Sequence, residues 1–450
     1  MSLFAQDNLL ENVKIGIIGL GYVGLPLAIA CAQKGYPTIG YDINKKRIQS
    51  LNLGSDLNGE ATRDELLSIS DFLSFTCDPN DLINCNFYIV AVPTPIDKGN
   101  YPDLSLLKAA SAMVGSIIKQ KIHSTSYTQV NQDLFIVFES TVYPGVTEEI
   151  CVPEIHSSSG LELNKHFYVG YSPERVSPGL NSKKVNEIVK LTSGSNDYAS
   201  EFIDKFYSSI ITAGTYSCES IKVAETAKIY ENTQRDVGIA LANELSILCT
   251  RLNINSESVT SAAKSKWNFV PWKAGLVGGH CIGVDPYYLR YCGESVGVNM
   301  NLVSSARIVN DSMPGWVVKK IIKDAVRCSI DISKAKALVV GVTFKENCSD
   351  IRNSKNLELV QILGDYGIDC VLVDPLVEKS SIPQSLRSSY IDLKDMDSTG
   401  KKFDIVILSC LHDQLKNLGS QYWESLARNK QSLVIDLKGY YNGLISSWSL

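Results

Sequence analysis

Residues 13–35, "VKIGIIGLGYVGLPLAIACAQKG", run from a short apolar stretch through a glycine turn into an amphipathic helical pattern. Gly19, Gly21 and Gly24 stand at G-x-G-x-x-G spacing, directly after the apolar stretch and at the opening of the helix. Glycines at that spacing also occur by chance, so the strand before them and the helix after them carry the weight. Gly19 permits a tight turn, Gly21 lets backbone approach a pyrophosphate, and Gly24 allows the helix to pack closely on a sheet. The helix N-terminus then presents free N–H groups and a positive dipole end to phosphates. The next stretch, "YPTIGYD", ends at Asp42, whose carboxylate is suited to both hydroxyls of a ribose. The sequence therefore predicts a dinucleotide site that prefers NAD to NADP, because a 2′-phosphate would meet a negative charge. Lys45, Lys46 and Arg47 follow at once and soften that preference.

Outward from this unit, strand and helix signals alternate. "NFYIVAVPTP", "DLFIVFESTVYPG" and "FYVGYSPER" read as further strands with polar loops at their C-terminal ends. Such alternation implies a parallel sheet covered on both faces, with ligands bound beyond the carboxyl ends of the strands. From about Ser217 the pattern changes. "SCESIKVAETAKIYENTQRDVGIALANELSILCTRLNI" has no proline, a single glycine and apolar residues at helical spacing, so it reads as one long helix or two abutting ones. After about Ile332, "AKALVVGVTFKEN", "YGIDCVLVDP", "FDIVILSC" and "QSLVIDLKGY" are strand candidates again. The expected fold is α/β, with two Rossmann-like parallel-sheet domains joined by a long central helix and a helical middle domain. The expected boundaries are 1–214, 215–331 (holding a cysteine loop and a dimer interface) and 332–450.

Composition narrows the partners. A 450-residue chain with 44% apolar and 20% charged residues is a globular protein too long for one ordinary core. Its net charge of -5 gives no sign of a nucleic-acid partner, and no apolar run nears the roughly 18 residues of a membrane span. The start "MSLFAQDNLLENVK" lacks the basic and apolar regions of a signal peptide, so a cytoplasmic location is expected. Twelve cysteines are scattered without C-x-x-C pairs, and five histidines show no H-x-x-x-H, so no metal site is expected. Cys31, Cys249, Cys370 and Cys410 fall in apolar runs and read as small core residues.

Chemistry concentrates in the middle. Lys228 and Asn232, four residues apart on the long helix, share one face and together can hold a developing alkoxide. Taken alone, the pair reads more simply as a solvated lysine beside a surface asparagine. Cys281 lies in the glycine-rich "LVGGHCIGVDPYYL", where a thiolate could attack an aldehyde, and Asp285 could orient a water or a neighbouring base. His280 suggests a Cys–His pair, but adjacent side chains on a loop often diverge, so the sequence leaves it out of the site.

With these residues in view, the chain resembles the UDP-sugar and GDP-mannose 6-dehydrogenases, from about Lys14 to Lys438. The resemblance rests on the glycine loop, "VPTP", "ESTVYPG", "SPER", "AETAKIYENTQRD", "GGHCIGVDP" and "GVTFKENCSDIRNS" in that order. It implies a four-electron, NAD-dependent oxidation of a sugar C6 alcohol, with Cys281 as the nucleophile and Lys228 and Asn232 on the C6 oxygen. Asp285 would assist through water or Lys228, Glu174 would act as acid/base in thioester hydrolysis, and Thr141 would position the water or the nicotinamide. Gly19, Gly21, Tyr22, Val23, Gly24, Asp42, Arg47, Thr94, Thr141 and Arg352 are the implied NAD contacts. The implied substrate contacts are Glu174, Arg175, Lys228, Asn232, Trp267, Gly275 and Gly279, with Phe344, Lys345 and Lys438 on the UDP part. A homodimer, or a higher oligomer, is the implied assembly.

Two departures from the UDP-glucose branch bear on the substrate. "SPERVSPG" places Arg175 and Pro178 where that branch has "NPEF" and a second glutamate, and "KSKWNFVP" places Ser265 where it has a sugar-binding arginine. Both resemble the branch acting on UDP-N-acetylhexosamines, including enzymes of Vi-type and O-antigen polysaccharide synthesis. UDP-GlcNAc or UDP-GalNAc is therefore preferred to UDP-glucose. A β-hydroxyacid dehydrogenase would lack the cysteine loop and the second α/β domain. A non-catalytic NAD sensor would make Cys281 a redox switch, and the intact set of Lys228, Asn232, Cys281 and Asp285 argues against it.

Overall fold

Six strands form one sheet: β1 (Ile15–Ile18), β2 (Thr38–Tyr41), β3 (Leu73–Thr76), β4 (Phe87–Val90), β5 (Phe135–Phe138) and β6 (Tyr168–Tyr171). Their order is β3-β2-β1-β4-β5-β6, with every neighbouring pair parallel. β1, β4 and β5 are buried at every residue, which is why each reads as an unbroken apolar run rather than an alternation. The helix Asp197–Ile210 covers one face, with Phe202 at 4.0 Å from the Phe135 ring and Phe206 at 4.1 Å from Phe87. Chain order reverses between β1 and β4, so the loops after these strands flank the crevice where such sheets take ligands. A short parallel pair, β7 (Lys190–Thr192) and β8 (Thr215–Ser217), follows β6.

The second sheet holds β9 (Lys336–Val340), β10 (Asp369–Val373), β11 (Ile405–Leu408) and β12 (Leu433–Asp436) in the order β10-β9-β11-β12, again all parallel. These are the four strands the sequence predicts. The α/β architecture with two parallel sheets and a helical middle is thus the one expected. Of the two readings of the central run, one helix is found, Ile221–Leu252. Its glycine has a packing reason: a Cβ at Gly238 would lie 2.3 Å from the Trp272 indole nitrogen.

The structure, a computed structural model, describes residues 10–124, 133–175, 184–441 and 448–450; Pro178 lies outside the described residues. Backbone contacts gather the chain into two units, Met1–Glu231 with Tyr287–Val296, and Asn232–Pro286 with Gly297–Leu450. The first holds the six-stranded sheet and the second the four-stranded one. Residues 215–331 fall partly in each unit. Among the described residues no helix is long and apolar enough to cross a membrane.

Candidate active site

In the first unit the glycine loop leaves β1 through Gly19, at φ +95°, where a Cβ would lie 2.8 Å from the Ala91 carbonyl oxygen. Gly24 opens the helix Gly24–Gln33, and a Cβ there would lie 1.9 Å from Gly19 O. Both glycines are therefore demanded by the protein's own packing. Gly21 is not, since a Cβ there meets nothing within 4 Å. Asp42 follows β2, accepting from Leu20 N at 2.9 Å and from Asn44 N at 2.8 Å, so its carboxylate is fixed against the loop while staying partly exposed. Arg47 braces the same loop from behind. It is buried, donates to Leu20 O at 3.1 Å and forms an ion pair with Asp56. Tyr22 and Val23 are half-buried between the glycines.

The ends of β4, β5 and β6 carry the other expected groups of this unit. Thr94 lies after β4, and its carbonyl accepts from Tyr288 OH at 3.0 Å. Thr141 is half-buried two residues after Glu139, which follows β5. Glu174, four residues into the "YSPER" stretch, is 8% exposed, and its backbone carbonyl accepts a hydrogen bond from the Lys228 ammonium. Burial pushes the Glu174 carboxyl up to about 7, although Lys228 and Lys190 pull it the other way. Arg175 turns aside to an ion pair with Glu231.

Four buried groups that the sequence reading missed hold these loops. Lys190 pairs with Glu139 at 3.0 Å and donates to the carbonyls of Ser172 and Pro173 at 3.2 and 3.3 Å, which fixes the approach to Glu174. Tyr207 OH donates to the same Glu139 at 2.6 Å. Glu225, one turn before Lys228, accepts from Gly145 N at 2.6 Å and Thr147 N at 2.9 Å and shapes the loop after β5. The available signal was charge on strand or helix faces that are otherwise apolar.

In the second unit Asn232 donates to Asp285 at 2.6 Å, with both side chains almost fully buried. The Cys281 carbonyl accepts from Val284 N and Asp285 N at 2.9 and 2.8 Å, so the turn itself sets the four-residue spacing of Cys281 and Asp285. Before the cysteine, Gly279 has φ +87° and a Cβ there would lie 2.8 Å from the Phe344 ring; one at Gly278 would lie 2.7 Å from Asn353 O. Hence the segment 341–354 presses on the cysteine loop, and Phe344, expected on the UDP, also serves as its floor.

His280, which the sequence reading left out of the site, turns to Asp350 and Arg352. The imidazole Nδ1 stands 3.5 Å from Asp350 Oδ2 and 3.3 Å from Arg352 Nη2. Burial disfavours the charged imidazole, but the neighbouring Asp350 carboxylate favours it, and His280 is raised to about 9. Arg352, expected on NAD, forks onto Asp350 through Nε at 3.0 Å and Nη2 at 2.6 Å. Burial notwithstanding, His280 and Arg352 hold the Asp350 carboxyl well below the usual range. No motif marks this cluster, since the aspartate and the histidine are 70 positions apart.

Elsewhere in this unit, Gly275 exchanges two hydrogen bonds with the Asn243 side chain, at 2.8 and 3.1 Å, while Trp267 is 97% exposed. Lys438 and Tyr440 both donate to Glu346, at 2.7 and 2.6 Å, and Thr343 donates to the Lys345 carbonyl at 2.9 Å. Asp374, just after β10, accepts from Val342 N at 2.8 Å and stands 3.0 Å from the buried His412.

Residues 13–211 match the NAD binding domain of the UDP-glucose/GDP-mannose dehydrogenase family, 222–312 its central domain and 338–443 its UDP binding domain. The chain belongs to that family. It is 44% identical to a UDP-N-acetyl-D-glucosamine 6-dehydrogenase of Salmonella typhi, over 95% of this chain and 96% of the relative. With one of the same name from Pseudomonas aeruginosa it shares 43%, over 95% and 97%. Among solved structures it is similar to the UDP-D-ManNAc dehydrogenase of Pyrococcus horikoshii, with TM-score 0.82 and 27% identity over 97% of this chain and 99% of that one.

This member of the UDP-glucose/GDP-mannose dehydrogenases is an NAD-dependent oxidoreductase, and its loop fits the cofactor. Gly21 has no packing reason to lack a side chain, whereas a pyrophosphate lying against the backbone would supply one. Asp42 keeps lone pairs for ribose hydroxyls after its two backbone hydrogen bonds. In the UDP binding domain of this dehydrogenase stand Phe344, Lys345 and Lys438.

Proposed function

We propose that this dehydrogenase oxidises the C6 alcohol of a UDP-N-acetylhexosamine, UDP-GlcNAc first among them, to the uronic acid through a thioester on Cys281. The observation that carries this reading is Cys281 itself, half-exposed in its glycine loop while most other cysteines are buried. An alcohol dehydrogenase that stops at the aldehyde has no use for such a thiol. The N-acetylated substrate is supported by Ser265 in place of an arginine and by the identity with the two UDP-N-acetyl-D-glucosamine 6-dehydrogenases.

NAD, when bound at the glycine loop, supplies the hydride acceptor for both oxidations. Lys228 and Asn232 hold O6 and stabilise its developing charge, and Asp285 keeps the Asn232 amide turned to that task. The O6 proton passes toward Asp285 through water or Lys228. Cys281 attacks the aldehyde, so that a second hydride loss leaves a thioester rather than a free intermediate. Glu174 then accepts a proton from the water that attacks the thioester, and Thr141 positions that water or the nicotinamide. Arg47, Thr94 and Arg352 complete the cofactor site. On the substrate side, Arg175, Trp267, Gly275 and Gly279 line the sugar, and Phe344, Lys345 and Lys438 bind the UDP. The enzyme works as a cytoplasmic homodimer and feeds surface-polysaccharide synthesis.

The test is stoichiometry with limiting UDP-GlcNAc, UDP-GalNAc and UDP-glucose. Two NADH per sugar are expected, with the highest kcat/KM on an N-acetylated substrate, and Cys281→Ala should abolish steady turnover. One NADH per sugar would sink the thioester route, and none from any of the three would sink the substrate class.

A further inference from the structure

β6 lies at the edge of its sheet, and four consecutive carbonyls lead from its end to the candidate base. Each accepts from a side chain. Ser193 Oγ donates to Tyr171 O at 2.7 Å, Lys190 Nζ to Ser172 O and Pro173 O at 3.2 and 3.3 Å, and the Lys228 ammonium to Glu174 O. Side chains thus hold the backbone residue by residue up to the position that bears the carboxyl. Among the described residues Glu174 Oε1 is buried and meets no hydrogen-bond donor, so this oxygen stays available for a water.

Gripping the backbone with a buried ammonium brings positive charge close to the carboxyl it presents. Glu139 answers that charge. Its Oε2 lies 3.0 Å from Lys190 Nζ and its Oε1 accepts from Tyr207 OH at 2.6 Å, while the Tyr207 ring centroid lies 4.9 Å from the ammonium. Lys190 and Glu139 are 4% and 2% exposed, so solvent does little to screen either. A bare ammonium there would favour ionised Glu174 and weaken it as a base, and a bare carboxylate would favour its protonated form.

We infer that Lys190 and Glu139 act as one positioning unit for the base: Lys190 fixes the backbone that presents Glu174, and Glu139 cancels the charge that this brings. The inference rests on the reading of Glu174 as the base of thioester hydrolysis. In that step the water oxygen bonds to C6, its proton goes to Glu174, and the C6–Sγ pair returns to sulfur. Neither member of the unit touches these atoms. Burial does most to raise the Glu174 carboxyl; Lys228, Lys190 and Arg175 lower it, and Glu139 raises it. Tyr207 and Cys31, the other titratable groups against the pair, are kept neutral by burial.

The experiment separates grip from charge in the full-length enzyme. Glu139→Gln keeps the lysine and its carbonyl bonds but frees its charge. Lys190→Met combined with Glu139→Gln removes both charges and the grip. Thioester decay on Cys281 is followed by acid quench and mass across pH. The Glu174 carboxyl is titrated in the free enzyme by infrared difference, with Glu174→Gln made in each background as reference and melting temperature as the check on folding. In Glu139→Gln the carboxyl and the rising limb of hydrolysis should both move to lower pH. In the double variant the limb should stay in place while the rate above it falls about 10- to 100-fold. A merely structural pair would lower stability without moving the limb. An unmoved Glu174 titration in folded Glu139→Gln, or wild-type decay in the folded double variant, would overturn the inference; if the double variant does not fold, Glu139→Gln alone decides. Fast decay in Glu174→Gln itself removes the base reading, and the inference with it. Slow decay there beside wild-type decay in the double variant overturns the inference alone.

Discussion

A carboxyl group that titrates near neutrality can act as base or acid in turn, and burial puts Glu174 at about 7. A raised value means that the group is protonated below neutrality and cannot accept a proton from water there. The hydrolytic step should therefore quicken as pH rises through about 7 and slow below it, and a pre-steady-state series across that range would read the limb. Glu174→Gln keeps the shape and removes the base, so turnover should fall about 10²–10⁴-fold while a sugar-nucleotide adduct accumulates on Cys281, visible by mass. Fast release without adduct would remove Glu174 from the step. Glu174, Lys228 and Cys281 stand out as candidates in the sequence because each sits in a short run of distinctive residues. Lys190, Glu139 and His280 do not. Their roles depend on partners brought from distant positions by the fold, and a lysine on a strand or a histidine beside a cysteine has many readings.

At the scale of elements, Gly21 and Gly24 separate binding from packing within one turn. Alanine at Gly24 forces a Cβ onto Gly19 O at 1.9 Å, and moving the helix to relieve it should destabilise the protein by about 1–3 kcal/mol, seen in urea unfolding. Gly21→Ala meets no protein atom within 4 Å, so unfolding should be unchanged while the NAD dissociation constant rises. Equal effects on both measurements would mean that the two glycines do the same job. The strands at the centre of each sheet were readable because burial on both faces leaves an unbroken apolar run. β3 escaped because it is an edge strand with only one buried residue, Leu73, and β7 and β8 because three residues carry too little pattern. Nothing in the sequence chose one central helix over two; the packing of Trp272 on Gly238 is not visible there.

At the scale of the molecule, the helix Ile221–Leu252 leaves Leu241, Leu248 and Leu252 exposed at 67%, 53% and 58%, on one face by their spacing. Leucines on a shared face give the expected homodimer a surface to bury. Sedimentation should find a dimer, and Leu241→Asp with Leu248→Asp should shift it to monomer; a dimer that survives both changes uses another surface. The two sheets also share a design. In each, a carboxylate after the second strand receives the N–H that follows the first glycine turn: Asp42 from Leu20 at 2.9 Å, Asp374 from Val342 at 2.8 Å. Asp42 stays partly open, but Asp374 is wholly buried and stands 3.0 Å from His412, itself 1% exposed. A ribose can reach the first carboxylate and not the second. The two turns are thus built alike and finished differently, the first carboxylate left open and the second closed over by the imidazole of His412.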